Sequence, residues 1–299
     1  MPPFSVLDTR SGAWQDKKRT WAARGINSRA GREGSLAFGH AAATDEVSLK
    51  LAAMSGGTSI FDPVLCELIL RWWSQPGDKV IDPFAGGSVR GIVSGFLDRE
   101  YVGTEIRREQ VDENYLQLDE CKGVGVKPVW VHDDGLNLNR HIGHPSDLLI
   151  GCPPYGDLEV YSDLDGDLSN MGADRFDEVY AQIIASAAAL LAPDRFAVFV
   201  VGDYRDTSGY MTSFVSRTIN HFACAGMRLY NEGVLVNSVG TGALRAGGNM
   251  TYRKLTKCHQ NVLVFCNGDV KRSARRLAPV DYLHSALPDP DDGVQVALF

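Results

Sequence analysis

The chain has no apolar run approaching the roughly 18 residues of a membrane-spanning helix, and Met1-Pro2-Pro3-Phe4-Ser5 lacks the basic-then-apolar order of a secretion signal. A soluble, cytoplasmic protein without a membrane partner is expected. The six cysteines (Cys66, Cys121, Cys152, Cys224, Cys258, Cys266) are scattered, mostly in apolar segments, with neither a disulfide rhythm nor a C-x-x-C pair. That pattern excludes a disulfide scaffold and the common zinc sites. No Walker, EF-hand or zinc motif and no internal repeat is present, so no metal is expected. Positive charge is scarce as well: 30 Lys and Arg against 37 Asp and Glu leave a net charge of -7. A nucleic-acid binder of this composition must concentrate its cations, because phosphate contacts come from Lys and Arg.

What is present is enough apolar material, 44% of 299 residues, for one large α/β core. The cations are concentrated in places. Arg10, Lys17, Lys18, Arg19, Arg24, Arg29 and Arg32 face only Asp16 among them, with Trp14 and Trp21 interleaved. This reads either as a backbone-gripping arm or as a solvated helix whose tryptophans dock on the core. A second basic stretch lies within residues 237–259 (Arg245, Arg253, Lys254, Lys257, with Gly240, Gly242, Gly247 and Gly248), suited to DNA contact or to a long hairpin loop. A third comprises Lys271, Arg272, Arg275 and Arg276.

Elements alternate along the chain. Asp62 caps and Pro63 opens a helix over 62–74; Pro76-Gly77-Asp78 turns into a strand at 79–81 ending on Asp82. Helices follow at 88–97, 108–121, 176–191 and 211–222, and strands at 101–105, 128–132, 147–151, 196–201 and 260–266. Strands alternating with helices of this length predict a mostly parallel sheet covered on both faces, with ligands bound outside the carboxyl ends of the strands.

Two motifs stand at such ends. Asp82-Pro83-Phe84-Ala85-Gly86-Gly87 closes one apolar run, and its glycines let the backbone approach a ligand at a helix N-terminus. Cys152-Pro153-Pro154-Tyr155 closes another, and its paired prolines stiffen the loop. Taken with Gly91, Tyr101-Val102-Gly103-Thr104-Glu105, Gln110 and Asn114, these segments resemble the S-adenosylmethionine-dependent DNA amino-methyltransferases, which methylate the exocyclic nitrogen of adenine or cytosine. The resemblance covers roughly residues 58–268.

It implies a class I methyltransferase (Rossmann-like) fold, S-adenosyl-L-methionine as cofactor and double-stranded DNA as partner. The implied layout is a basic N-terminal arm at 1–57, a methyltransferase domain at 58–268 with a recognition insertion near 237–259, and a basic patch and tail at 269–299. Glu105, with Ile106 beside it, would hold the ribose hydroxyls, a carboxylate being able to accept from both. Asp134, or Asp133 one residue earlier, would meet the adenine amino group, and Phe61, after Ser59-Ile60, would pack on the methionine end. Residues 157–175 would form a loop over the site.

An exocyclic amine is a poor nucleophile because its lone pair is delocalised into the ring. In this family the residue before Pro-Pro and the backbone carbonyl beside it accept the amine hydrogens, and the aromatic residue stacks on an extruded base. Here the first position is Cys152, where Asp, Asn or Ser is usual. A thiol is a weak acceptor, and its closeness to Ser in size leans toward cytosine. Cytosine-C5 methyltransferases carry their nucleophilic cysteine after the proline instead, on a different loop. The alternatives to a stand-alone DNA methylase of phage or restriction-modification type are an RNA or protein N-methyltransferase and a decayed DNA-binding protein. Oligomeric state is left open, a homodimer among the options.

Overall fold

A computed structural model describes residues 3–27, 61–155, 162, 164, 166–237 and 242–279. Ser59, Ile60, Arg29, Arg32, the C-terminal tail and most of the 157–165 stretch lie outside the described residues. The elements in chain order are β1 Val6–Asp8, α1 Gly12–Ala23, α2 Pro63–Trp73, β2 Lys79–Asp82, α3 Val89–Phe96, β3 Glu100–Glu105, α4 Arg108–Glu120, β4 Val129–His132, β5 Ser146–Gly151, α5 Ala173–Ala188, β6 Leu191–Val201, α6 Phe214–Cys224, β7 Arg228–Val236, α7 Gly242–Thr251, β8 His259–Asn267 and α8 Val270–Arg276.

The strands form one sheet in the order β1-β7-β8-β6-β5-β2-β3-β4. Pairing is parallel except at β8, which runs against both β6 and β7. From β2 the chain moves outward through β3 to β4 and then returns to place β5 on the other side of β2. Strand order therefore reverses between β2 and β5, and a crevice opens beyond their carboxyl ends.

Alternation along the strands supplies both faces of the sheet. Val80, Leu148, Ile150, Val198, Val200, Val262 and Val264 join Trp14 and Trp21 of α1, Val64 to Leu70 of α2 and Ile92 and Val93 of α3 in one core. Ile81, Leu149, Ala197, Phe199, Val201, Leu263 and Phe265 meet α5 and α6 in the other. Asp62 caps α2 by accepting from the Val64 N–H at 2.8 Å, with Pro63 in the first turn.

Three features differ from the sequence-based expectation. The helix expected over 176–191 spans Ala173–Ala188, and Leu191 already belongs to β6, whose first residues include Pro193. The helix expected over 211–222 spans Phe214–Cys224. Strands β1 and β7 were not anticipated: the first five residues of β7, Arg228 to Glu232, are exposed and mostly polar, so they lack the alternation that marks a half-buried strand.

The described part of the N-terminal region is packed onto the fold, not extended from it as an arm. β1 pairs with β7, and Trp14 and Trp21 are buried. Four of its five cations are in ion pairs, Lys17 with Glu67 at 2.9 Å, Lys18 with Asp62 at 3.0 Å, Arg10 with Asp8 at 2.7 Å, and Arg19 with Asp16, and Arg24 lies 5.0 Å from the Trp21 ring. Glu67 also accepts from Trp21 Nε1 at 2.9 Å. Burial raises the Glu67 pKa, but the hydrogen bonds from Lys17 and Trp21 outweigh it and hold the carboxyl below its usual range.

Candidate active site

The glycine loop is tied down from below. Asp82 is fully buried and takes Arg90 Nε at 2.6 Å, Tyr101 OH at 2.8 Å and the Phe84 N–H at 2.9 Å. Arg90, in the first turn of α3, donates back to the carbonyls of Phe84 and Ala85, the latter at 3.1 Å. The Ala85 N–H is taken by the Thr104 carbonyl at 2.9 Å, and Asn114 Nδ2 donates to the Gly86 carbonyl at 2.8 Å. Gly86 sits at φ +53°, a conformation that costs an L residue more than it costs glycine. With the loop carbonyls thus occupied, Gly86 and Gly87 line a cleft with the start of α3 behind them. Burial opposes the Arg90 charge, yet neighbouring Asp82 outweighs it and pushes the guanidinium pKa up.

The cleft holds about 450 Å³ and follows the carboxyl ends of the sheet from β3 to β7. Its β2–β4 half is lined by Phe61, Pro83, Phe84, Gly86, Gly87, Thr104, Glu105, Ile106 and Asp134. Glu105 Oε1 accepts from the Arg107 N–H at 2.9 Å, which fixes the carboxylate at the strand end. Asp134 Oδ1 caps the following short helix at the Leu136 N–H, also at 2.9 Å. Phe61 lies beneath the Arg90 guanidinium, 4.6 Å from carbon to ring centroid. Thr104 Oγ1 is buried and has no hydrogen-bond partner among the described residues, although the residue lines the cleft.

The remaining sequence-singled residues stand elsewhere. Asp82 and Ala85 lie under the glycine loop and do not line the cleft. Asp133 is turned to His141 Nε2 at 2.7 Å and Asn137 Nδ2 at 2.7 Å, so of the two acidic candidates after β4 only Asp134 reaches the space.

Cys152, Pro153, Pro154 and Tyr155 all line the cleft, directly after β5. The Tyr155 ring lies near-parallel to Tyr204, with centroids 6.4 Å apart and planes at 22°, and edge-on to Phe214 at 6.0 Å. Its hydroxyl accepts from Gln260 Nε2 at 2.7 Å. Beyond it, the β6–β8 half of the cleft is floored by Val200 and Leu235 and edged by Gln15, Asn237 and Gln260. These amides were missed in the sequence: a lone Gln or Asn at a strand end carries no motif. Arg90 was missed too, though a cation in the first turn after a glycine loop whose Asp must be buried is a usable signal.

The β7–β8 connection, the stretch at 237–259, carries the short helix α7, with residues 238–241 outside the described ones. Tyr252 and Leu255 are exposed, and Lys254 lies 5.6 Å from the Tyr252 ring. Lys257 turns back to donate to the Asp203 carbonyl at 3.0 Å, and burial pulls its pKa down. In α8, Arg272 pairs with Asp194 and Arg276 with Asp78. No cluster of His, Cys, Asp and Glu suited to a metal ion occurs among the described residues, and none of their helices is long and apolar enough to cross a membrane.

A strand order that reverses between β2 and β5, one strand antiparallel among otherwise parallel neighbours, and a glycine loop followed by an acidic strand end define a class I methyltransferase fold. Within it, residues 48–116 match the family model described as DNA methylase. Among curated relatives, the orphan methyltransferase M.BamHII of Bacillus amyloliquefaciens is 35% identical over 81 residues, 25% of this chain and 31% of that protein. The type II methyltransferase M.SmaI of Serratia marcescens is 41% identical over 51 residues, 17% of this chain and 18% of that protein. The match thus spans about a third or less of those relatives. A solved structure, TrmN from Thermus thermophilus, aligns over 69% of this chain and 49% of its own at 16% identity and a TM-score of 0.47.

Proposed function

We propose that the chain transfers the methyl group of S-adenosylmethionine to the exocyclic amino nitrogen of a cytosine (N4) or adenine (N6) in double-stranded DNA, with the base swung out of the duplex into the β6–β8 half of the cleft. The observation that carries this reading is the shared space: the glycine loop with Glu105 and the Cys152–Tyr155 loop line one cleft at the switch point.

The residues fit the cofactor. Glu105 takes the ribose hydroxyls, Asp134 the adenine amino group, and Phe61 packs on the methionine end beside Gly86 and Gly87. The buried Thr104 hydroxyl, without a partner among the described residues, would be satisfied by a polar group seated there. When bound, the cofactor supplies an electrophilic methyl on a sulfonium.

The chain does the rest by positioning. Pro153 and Pro154 fix the direction of the backbone carbonyl beside Cys152, which accepts an amine hydrogen, and Tyr155 offers a ring face to the extruded base. The cations of the β7–β8 connection, exposed Arg245 and Arg253 and half-buried Lys254, with Tyr252 beside them, grip the DNA backbone.

The test is to incubate the protein with DNA and deuterated S-adenosylmethionine and digest to nucleosides for mass spectrometry. Labelled N4-methylcytosine or N6-methyladenine is expected. Label found only in RNA or protein, or duplex binding with no transfer, would overturn the reading.

A further inference from the structure

Cys152 poses a chemical problem that the β6–β8 half of the cleft answers. To attack, an exocyclic nitrogen must be freed from conjugation with its ring, and acceptors on both its hydrogens favour the pyramidal form. One acceptor is the backbone carbonyl beside Cys152. The Cys152 thiol is a weak second one. Strand alternation and register place another group on the same side of the sheet. Ile150 and Cys152 on β5 and the loop after it, Val198 and Val200 on β6, and Val262 on β8 share one core. Gln260 stands two residues before Val262 on that face, opposite Leu235, and lines the cleft with Cys152.

The Gln260 amide is already oriented. Its Nε2 donates to Tyr155 OH at 2.7 Å, and its Oε1 accepts no hydrogen bond among the described residues. Gln15, across the same half of the cleft, is arranged alike, with Nε2 held by the Thr9 carbonyl at 2.6 Å. Lys18, which also lines the cleft, is held by Asp62 at 3.0 Å, so the amides of Gln15 and Gln260 beside Val200 and Leu235 offer a neutral polar edge that suits a nucleobase.

We propose that Gln260 is a substrate-contacting residue that replaces the acceptor missing at position 152: its Oε1 accepts a hydrogen from the exocyclic amine while Tyr155 fixes the amide's other end. The inference rests on the proposed methyl transfer. The nitrogen lone pair forms the N–CH₃ bond as the S–CH₃ bond breaks, and that bonding pair stays on sulfur as a neutral thioether. The extra proton on nitrogen leaves to water, a carboxamide being no base.

The experiment compares wild type, Gln260→Leu, Cys152→Asn and the double variant, measuring methyl transfer from S-adenosylmethionine to unmodified genomic DNA and binding of S-adenosylhomocysteine. Gln260→Leu is expected to lower kcat on the order of 100-fold, the scale of losing one preorganised hydrogen bond to a reacting group, with cofactor affinity unchanged. Adding Cys152→Asn, which puts an amide acceptor back beside Pro153, is expected to recover at least about tenfold of that loss, the coupling of two groups that serve one hydrogen bond. A merely structural Gln260 gives no such rescue. The inference is overturned if Gln260→Leu retains wild-type kcat, if it loses cofactor affinity as well, or if the second substitution recovers nothing. A wild-type protein that transfers no methyl to DNA at all overturns the proposed function, and this inference with it.

Discussion

On the proposed assignment, the cofactor half of the cleft takes its lining from chain between Phe61 and Asp134 and is stiffened by the buried Arg90–Asp82 pair, whereas the substrate half gathers Gln15, Tyr155, Asn237 and Gln260 from separate segments and is held by neutral hydrogen bonds and by the contact of Tyr155 with Tyr204. The difference suits their tasks. A cofactor used at every turnover is best met by a preformed cradle, since ordering a loop on binding costs affinity. A base drawn from a duplex must enter and leave, and amides and aromatic faces bind without a buried charge to desolvate.

The comparison is broken most severely at Arg90. Arg90→Met leaves Asp82 and the Tyr101 hydroxyl buried without their cation, at a cost of roughly 3 to 5 kcal/mol. Chemical denaturation should show that loss and calorimetry a collapse of S-adenosylhomocysteine affinity; a variant of wild-type stability would mean that the pair is not what stiffens the cradle.

The two halves should also fail differently. Tyr155→Ala removes the ring expected to stack on the base, worth about 1 to 3 kcal/mol by analogy with base stacking on aromatic side chains. Methyl transfer should fall while cofactor affinity persists. Glu105→Ala should act on the cofactor instead, weakening S-adenosylhomocysteine by roughly 1 to 3 kcal/mol through the lost charged hydrogen bonds. If both variants lower cofactor affinity alike, the division into two halves is wrong.

The cofactor half was the more legible in the sequence for a physical reason. Lys79–Asp82 is an apolar strand closed by an Asp, Pro and two glycines, and Asp62-Pro63 is a helix start, so each piece announces itself within a few residues. What Asp82 does was not legible: its partners Arg90 and Tyr101 lie on other elements, and only packing shows that it anchors the loop from below and does not face the cleft. The substrate half depends on register across β6, β8 and β7. β7 was invisible because its first residues are solvent-exposed and polar, and without β7 neither the placement of Asn237 nor that of Gln260 could be seen. Lys17 and Lys18 read equally as DNA contacts or as a docked helix, and the choice was made by Glu67 and Asp62, far along the chain.

That docking gives a smaller, pH-dependent prediction. Because the folded pKa of Glu67 lies below its ordinary 4.5, its contribution is fully present above that value and is lost as pH falls through the depressed one. Glu67→Gln should cost about 1 to 3 kcal/mol near neutral pH and flatten the acid limb of a stability-versus-pH curve. An unchanged limb would detach α1 from this carboxylate. The smallest effect concerns the DNA grip. Neutralising Arg245, Arg253 and Lys254 should reduce the salt dependence of duplex binding by up to roughly 0.9 for each phosphate that no longer meets a cation. Neutralising Lys17 and Lys18, already paired with Glu67 and Asp62, should leave the slope unchanged.

The central claim, that one cleft brings a methyl donor to an extruded amino base, is tested most directly by nucleoside mass spectrometry of DNA treated with the protein and deuterated S-adenosylmethionine. The account predicts deuterated methyl on N4 of cytosine or N6 of adenine, falling sharply in Tyr155→Ala. Deuterated methyl at C5 of cytosine would contradict it, because that product requires covalent attack by a cysteine, a role that this account does not give to Cys152.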